Sequence, residues 1–187
     1  MRQTDTQEKI LNAAENLTQK QGYNAFSYRD LAKIVGIKTS SIHYYYPAKE
    51  DLGVAVIQWQ REKLALVLDK LKDNAKLSTR EKLLEFLEVI LAATYHDEMK
   101  MCLGGMFASD ALSLPKRVRE EAQSFFIYLN QWVQGTVSEG KQKAPVSAED
   151  FAKHLLLQIE GGLLLARLYG DKSYLNIVKR FIHQSVG

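Results

Sequence analysis

Apolar positions along this chain recur at three- and four-residue spacings almost from end to end, the period of helices that bury one face. Ile10, Leu11, Ala14 and Leu17 share one such face, and Gly22 supplies a stop beyond it. The longest run, from Ala48 to about Asn74, continues the stripe through Leu52, Ala55, Val56, Trp59, Leu64, Leu68 and Leu71. Ser78 and Glu81 form an S-x-x-E capping box that opens a helix running to about Tyr95. Further helices are predicted over about Cys102–Leu112, Lys116–Val137, Ala148–Tyr169 and Ser173–His183. Pro47, Pro115 and Pro145 all fall in the gaps, as they must where a proline inside a helix costs about 3 kcal/mol. No alternating strand pattern, repeat or low-complexity tract interrupts this picture. The pattern predicts an all-α chain of about nine helices.

The pattern tightens between Ser27 and Tyr46. Ser27 is placed to cap a short helix carrying Leu31, Ala32 and Val35, and Gly36 supplies the positive φ of a tight turn. Ile37 follows as an apolar plug, and a second short helix runs from about Thr39 to Tyr45 with Ile42 inward. Two short helices joined by a glycine turn make a helix-turn-helix, whose second helix fits a major groove ~12 Å wide. Its outward positions are the hydroxyls of Thr39, Ser40 and Ser41, then the ring donors His43, Tyr44 and Tyr45. Small hydroxyls suit base edges and phosphates, and ring donors further along reach the backbone. Tyr46 is expected to pack inside the head.

Composition narrows the function classes. The 187 residues are 46% hydrophobic and 25% charged, ordinary for a globular protein, with no apolar run near the ~20 residues that span a bilayer. Met1 to Ile10 is polar and mixed in charge, unlike a secretory signal, and the single cysteine, Cys102, has no partner for an internal disulfide. Both features predict a cytoplasmic protein. Net charge is only +3, but Tyr28–Lys49 holds four basic residues against one acidic, whereas residues 51–187 hold 18 against 17. A small basic patch on a near-neutral body fits a short nucleic-acid contact.

The stretch Gly22-Tyr-Asn-Ala-Phe-Ser-Tyr-Arg-Asp-Leu-Ala, then Val35-Gly36-Ile37, then Ser41-Ile-His-Tyr-Tyr-Tyr-Pro-Ala-Lys-Glu-Asp-Leu52, resembles the TetR family (TetR/AcrR type) of bacterial transcriptional regulators. The resemblance implies a helix-turn-helix DNA-binding domain over residues 1–52 and a helical ligand-binding and dimerisation bundle over 53–187. It also implies a homodimer that binds a palindromic DNA operator, most often as a repressor, and is released by a small-molecule effector. By position, base contacts fall on Arg29, Thr39 and Ser40, and phosphate or groove contacts on Tyr28, Ser41, His43, Tyr45 and Lys49. Two positions depart from the common pattern. Lys38 stands where a serine often caps the recognition helix, and His43 stands where tyrosine is commoner.

The remaining residues are read for two tasks. Leu155 to Ala166 is apolar on nearly every face, so burial on two sides is expected, with a dimer interface at Leu155, Gly161, Gly162, Leu165, Ile177 and Phe181. A small apolar or aromatic effector is expected against Phe86, Ile90, Tyr95, Met106, Phe107, Phe125, Tyr128, Trp132 and Gln158, with Thr94 and Glu160 as further polar groups nearby. Such an aromatic stripe also serves as plain core. Cys102, near a predicted helix start and close to Lys100, offers an alternative, a regulator that senses oxidants or electrophiles. Catalysis finds no constellation: His43, His96, His154 and His183 are scattered, no metal-ligand spacing appears, and no cofactor is expected. A helical enzyme and a protein-docking adaptor remain the alternatives of a different class.

Overall fold

A computed structural model describes residues 3–140 and 146–186. Among them lie nine α-helices and no strand: α1 (Gln3–Gln21), α2 (Tyr28–Val35), α3 (Thr39–Tyr45), α4 (Lys49–Lys72), α5 (Thr79–Ala92), α6 (Leu103–Ser109), α7 (Lys116–Ser138), α8 (Ala148–Tyr169) and α9 (Ser173–Ser185), with a 3-10 turn at Tyr23–Ala25. Pro47 and Pro115 sit between helices, and Pro145 lies outside the described residues. The all-α expectation holds. The α5 helix ends earlier than expected, at Ala92, because its last carbonyls are taken by a tight turn: the Ala93, Thr94 and His96 amides donate back to Val89 and Leu91.

Two compact units emerge, Met1–Lys63 with Leu103–Phe125, and Leu64–Cys102 with Phe126–Gly187. The first unit therefore reaches past the helix-turn-helix boundary at residue 52. Its centre is Ile10, Ala14, Leu31, Ile42 and Leu52, each essentially without solvent contact. α1 ends at Gly22, where φ is 96°. α4 then passes so close to Tyr23 that a Cβ on Gly53 would lie 2.9 Å from the Tyr23 ring and 3.1 Å from Val118 of α7. The segment carrying α6 and the start of α7 is fastened to the same unit by polar contacts. Asn24 donates to the Ser113 hydroxyl at 2.9 Å, Arg117 pairs with Asp51 at 3.0 Å, and Gln58 donates to Glu121 at 3.1 Å.

The second unit is built on α5, α8, α9 and parts of α4 and α7. Ser78 and Glu81 form the expected capping box at the head of α5. Ser147 caps α8 through the Asp150 amide, and Gly170 closes α8 in the left-handed region at φ 66°. The Phe86 and Trp132 rings stack at 5.0 Å, with the indole N–H donating to the Leu68 carbonyl at 3.0 Å. α8 and α9 lie along each other. Gly162 lets them approach, since a Cβ there would meet Val178 at 3.3 Å, and Phe151 stacks on Phe181 at 5.3 Å.

Candidate nucleic-acid interface and effector region

The head is set by caps that the sequence dictates. Ser27 and Asp30 close a reciprocal capping box on α2: the Asp30 amide donates to the Ser27 hydroxyl, and the Ser27 amide donates to the Asp30 carboxylate at 3.0 Å. Those hydrogen bonds hold the Asp30 carboxyl below the usual carboxylate range. Gly36, at φ 74°, ends α2 by donating to the Ala32 carbonyl, and the Ile37 amide bonds to the same oxygen. α3 begins after Lys38, whose side chain makes no capping bond. With Ile42 fully buried, α3 presents Ser40, His43 and Tyr44 outward, and Thr39, Ser41 and Tyr45 at its margins. Tyr44 is 72% exposed and meets the Tyr45 ring edge-on at 5.2 Å. Arg29 stands exposed in the first turn of α2. Tyr46 packs inside, as expected.

Two nominated contacts turn inward instead. Tyr28 is buried and its hydroxyl donates to the Tyr46 carbonyl at 2.9 Å; burial pushes its pKa up. Its ring meets the edge of His43 at 4.7 Å, and His43 Nδ1 lies 3.3 Å from the Pro47 carbonyl, which makes that nitrogen the donor. Lys49 donates to the Phe26 carbonyl at 2.5 Å and sits 4.8 Å and 4.7 Å from the Tyr23 and Phe26 ring centres. Burial lowers its pKa. Sequence reasoning placed Lys49 at the start of a helix and so near phosphate. It could not see that two aromatic faces and an open carbonyl lie within reach of the same ammonium.

None of the nine effector nominees is among the residues that line the cavity between α7 and α8. Met106, Phe107 and Phe125 belong to the first unit, where Phe107 packs at 5.4 Å on Tyr23. Phe86, Ile90, Tyr95, Tyr128, Trp132 and Gln158 belong to the second, where Phe86 and Trp132 are stacked core. At helical spacing, the positions that fill a core and those that line a pocket look alike in the sequence. The second unit does hold a cavity of about 710 Å³ between α7 and α8, lined by other residues, among them Phe126, Asn130, Gln134, Lys153, Leu157 and Glu160. Thr94 is buried and donates to the Ile90 carbonyl at 2.7 Å.

The interface nominees also divide. Leu155 is 0% exposed within its own chain, and Gly162 is filled by α9, so both are corrected to internal packing. Leu165 and Phe181 are half-buried, while Ile177 is exposed and a Cβ on Gly161 would meet nothing within 4 Å. Missed residues lie beside Gly161. Leu157, Leu164 and Leu168 are 70%, 57% and 70% exposed and share its face, an apolar stripe legible from its spacing of four, three and four residues.

Cys102 is buried, and its thiol donates to the Glu160 carboxyl. Lys100, expected beside it, is instead paired with Asp97 at 2.5 Å. Among the described residues no group of three or more His, Cys, Asp or Glu is placed to hold a metal ion, and no helix is long and apolar enough to cross a membrane.

A buried helix-turn-helix core beneath an exposed polar helix, on an otherwise helical chain, defines a DNA-binding regulator. The family model described as bacterial regulatory proteins, tetR family, matches residues 10–56. A TetR transcriptional regulator of known structure from Legionella pneumophila is 48% identical, with a TM-score of 0.95 over 100% of both chains. A TetR-family regulator from Agrobacterium tumefaciens is 25% identical, with a TM-score of 0.90 over 98% of this chain and 99% of its own. The HTH-type transcriptional regulator LmrA of Bacillus subtilis is 27% identical over 87% of this chain and 86% of its own length. The chain belongs to the TetR family of transcriptional regulators, whose members are not enzymes.

Proposed function

We propose that the chain is a homodimeric repressor that binds an inverted-repeat operator and is released by a small effector. The observation that carries this reading is α3: Ile42 is locked into the head while Ser40, His43 and Tyr44 face solvent together. In this reading Arg29, Thr39 and Ser40 read base edges, and Ser41, His43 and Tyr45 contact the backbone. Residues 1–52 read DNA, and 53–187 dimerise and sense. Dimerisation is supported by the uncovered stripe of Leu157, Gly161, Leu164 and Leu168 on α8 and by the exposed Ile177 of α9. A two-fold dimer presents its recognition helices to half-sites about 34–36 Å apart. Effector release is supported by the cavity between α7 and α8, whose size suits a small organic molecule.

Selection of bound sequences from random DNA tests the reading. It is expected to return an inverted repeat, with Thr39→Ala relaxing preference at one position of each half-site. A pool with no palindrome, or a monomer at operator-binding concentrations, would overturn it. Repression is read separately, by placing the selected site over a reporter promoter and measuring expression with and without the protein.

A further inference from the structure

The cavity between α7 and α8 is mostly apolar and amide-lined, with three charged side chains in its wall: Glu149, Lys153 and Glu160. Two of them cancel. Lys153 lies 2.6 Å from Glu149 one turn away, and that partner raises its pKa and keeps it charged. Glu160 is the remainder. Among the described residues no lysine or arginine pairs with it, and its partner is the thiol of Cys102, a weak and neutral donor. Protein packed around the Glu160 carboxyl raises its pKa, and the thiol bond pulls only weakly the other way. A half-buried acid without a counter-charge is a costly thing to keep, and a bound cation removes the cost.

We propose that this cavity binds an organic cation, a protonated or quaternary amine seated against Glu160 with its apolar part on Phe126 and Leu156. The proposal rests on the effector reading above and names its seat and chemical class. The Phe126 ring adds a face that attracts a cation, and Asn130 and Gln134 offer amide oxygens to an N–H donor. The volume leaves room for an aromatic or aliphatic body behind the charged head.

The test compares 4-phenylbutylammonium with uncharged 4-phenylbutanol by titration calorimetry on the full-length protein. The ammonium is expected to bind at least ten-fold more tightly than the alcohol. Glu160→Gln should bring ammonium binding down to the level of the alcohol, and Glu160→Asp, which keeps the charge one methylene further back, should retain part of the preference. Asn130→Trp, which fills the cavity from α7, should abolish binding of both with the sedimentation coefficient unchanged. Equal binding of the two probes, or an undiminished preference in Glu160→Gln, overturns the proposal. A change of oligomeric state in Asn130→Trp also overturns it, because the groove would then belong to a second copy of the chain. Operator release is measured in a separate arm. Tight, Glu160-dependent binding that leaves DNA affinity untouched keeps the site and removes its regulatory role.

Discussion

α3 and α8 each leave one face uncovered, and the two faces have opposite chemistry. On α3 the outward groups are hydroxyls and ring donors above a single buried isoleucine. On α8 they are leucines around a glycine that nothing fills. A polar helix face costs nothing in water and gains by meeting a polar, charged partner, as DNA is. An apolar face of several leucines is costly in water and gains by being covered. The difference teaches that one chain carries two exposed helix faces of opposite chemistry, each suited to a different kind of partner.

Breaking the apolar face should have the largest effect. Leu164→Asp places a charge where a partner leucine would sit, and it is expected to dissociate the dimer and weaken operator binding by about 100-fold or more. The isolated subunit should keep its melting temperature, since Leu164 is 57% exposed. Sedimentation and DNA titration together check this; a dimer that survives places the interface elsewhere.

The polar face is sharpened by pairing Arg29 with Lys49. Lys49→Met is expected to lower folding stability by about 1–2 kcal/mol, because it removes a charge-assisted hydrogen bond and two ring contacts while keeping the apolar stem. It should leave the slope of DNA affinity against salt unchanged. Arg29→Ala should do the reverse, sparing stability and changing base preference or the salt slope. Urea unfolding and binding at several salt concentrations separate the two.

The adjacent glycines of α8 supply a finer comparison. In the monomeric Leu164→Asp background, Gly161→Ala should stabilise by about 0.5–1 kcal/mol, the ordinary helix-propensity gain, because its Cβ meets open space. Gly162→Ala should gain less or lose, with Val178 only 3.3 Å from the new methyl. In the wild-type dimer the Gly161→Ala gain should be offset by weaker association.

The smallest effect concerns acid. Asp30 has a folded pKa held below its free value by Ser27, so the ionised form is favoured by folding. Its contribution is present above the unfolded pKa and disappears as pH falls through the folded one. Ser27→Ala should lower the melting midpoint by about 1–2 °C at pH 7 and by less near pH 3, as thermal melts across that range would show.

Much of this was legible in the residues. Ser27 with Asp30, Ser78 with Glu81, and Gly36 specify helix ends through bonds to their own neighbours, so local sequence suffices. Tyr28 and Lys49 were misread because their partners, the Tyr46 and Phe26 carbonyls, lie 18 and 23 residues away. The effector residues were ambiguous for a related reason. Phe86 and Trp132 satisfy the same periodicity whether they stack on each other or face a ligand, and only tertiary packing decides. Gly161 and Gly162 are adjacent in the chain, yet about 100° of helix rotation sends one outward and the other against α9.

The close seat of Gly53 against Tyr23 and Val118 has a consequence for synthesis. The first compact unit is discontinuous: Met1–Lys63 is made early, but Leu103–Phe125 emerges only after the whole intervening segment. At typical translation speeds that interval is roughly 3–12 s, during which the nascent head has its recognition helix but no Val118 to close over Gly53. Grafting heads between relatives meets the same constraint. A graft cut at residue 52 carries Tyr23 but leaves Gly53 and Val118 behind, whereas one that takes residues 1–63 together with 103–125 transfers the whole seat.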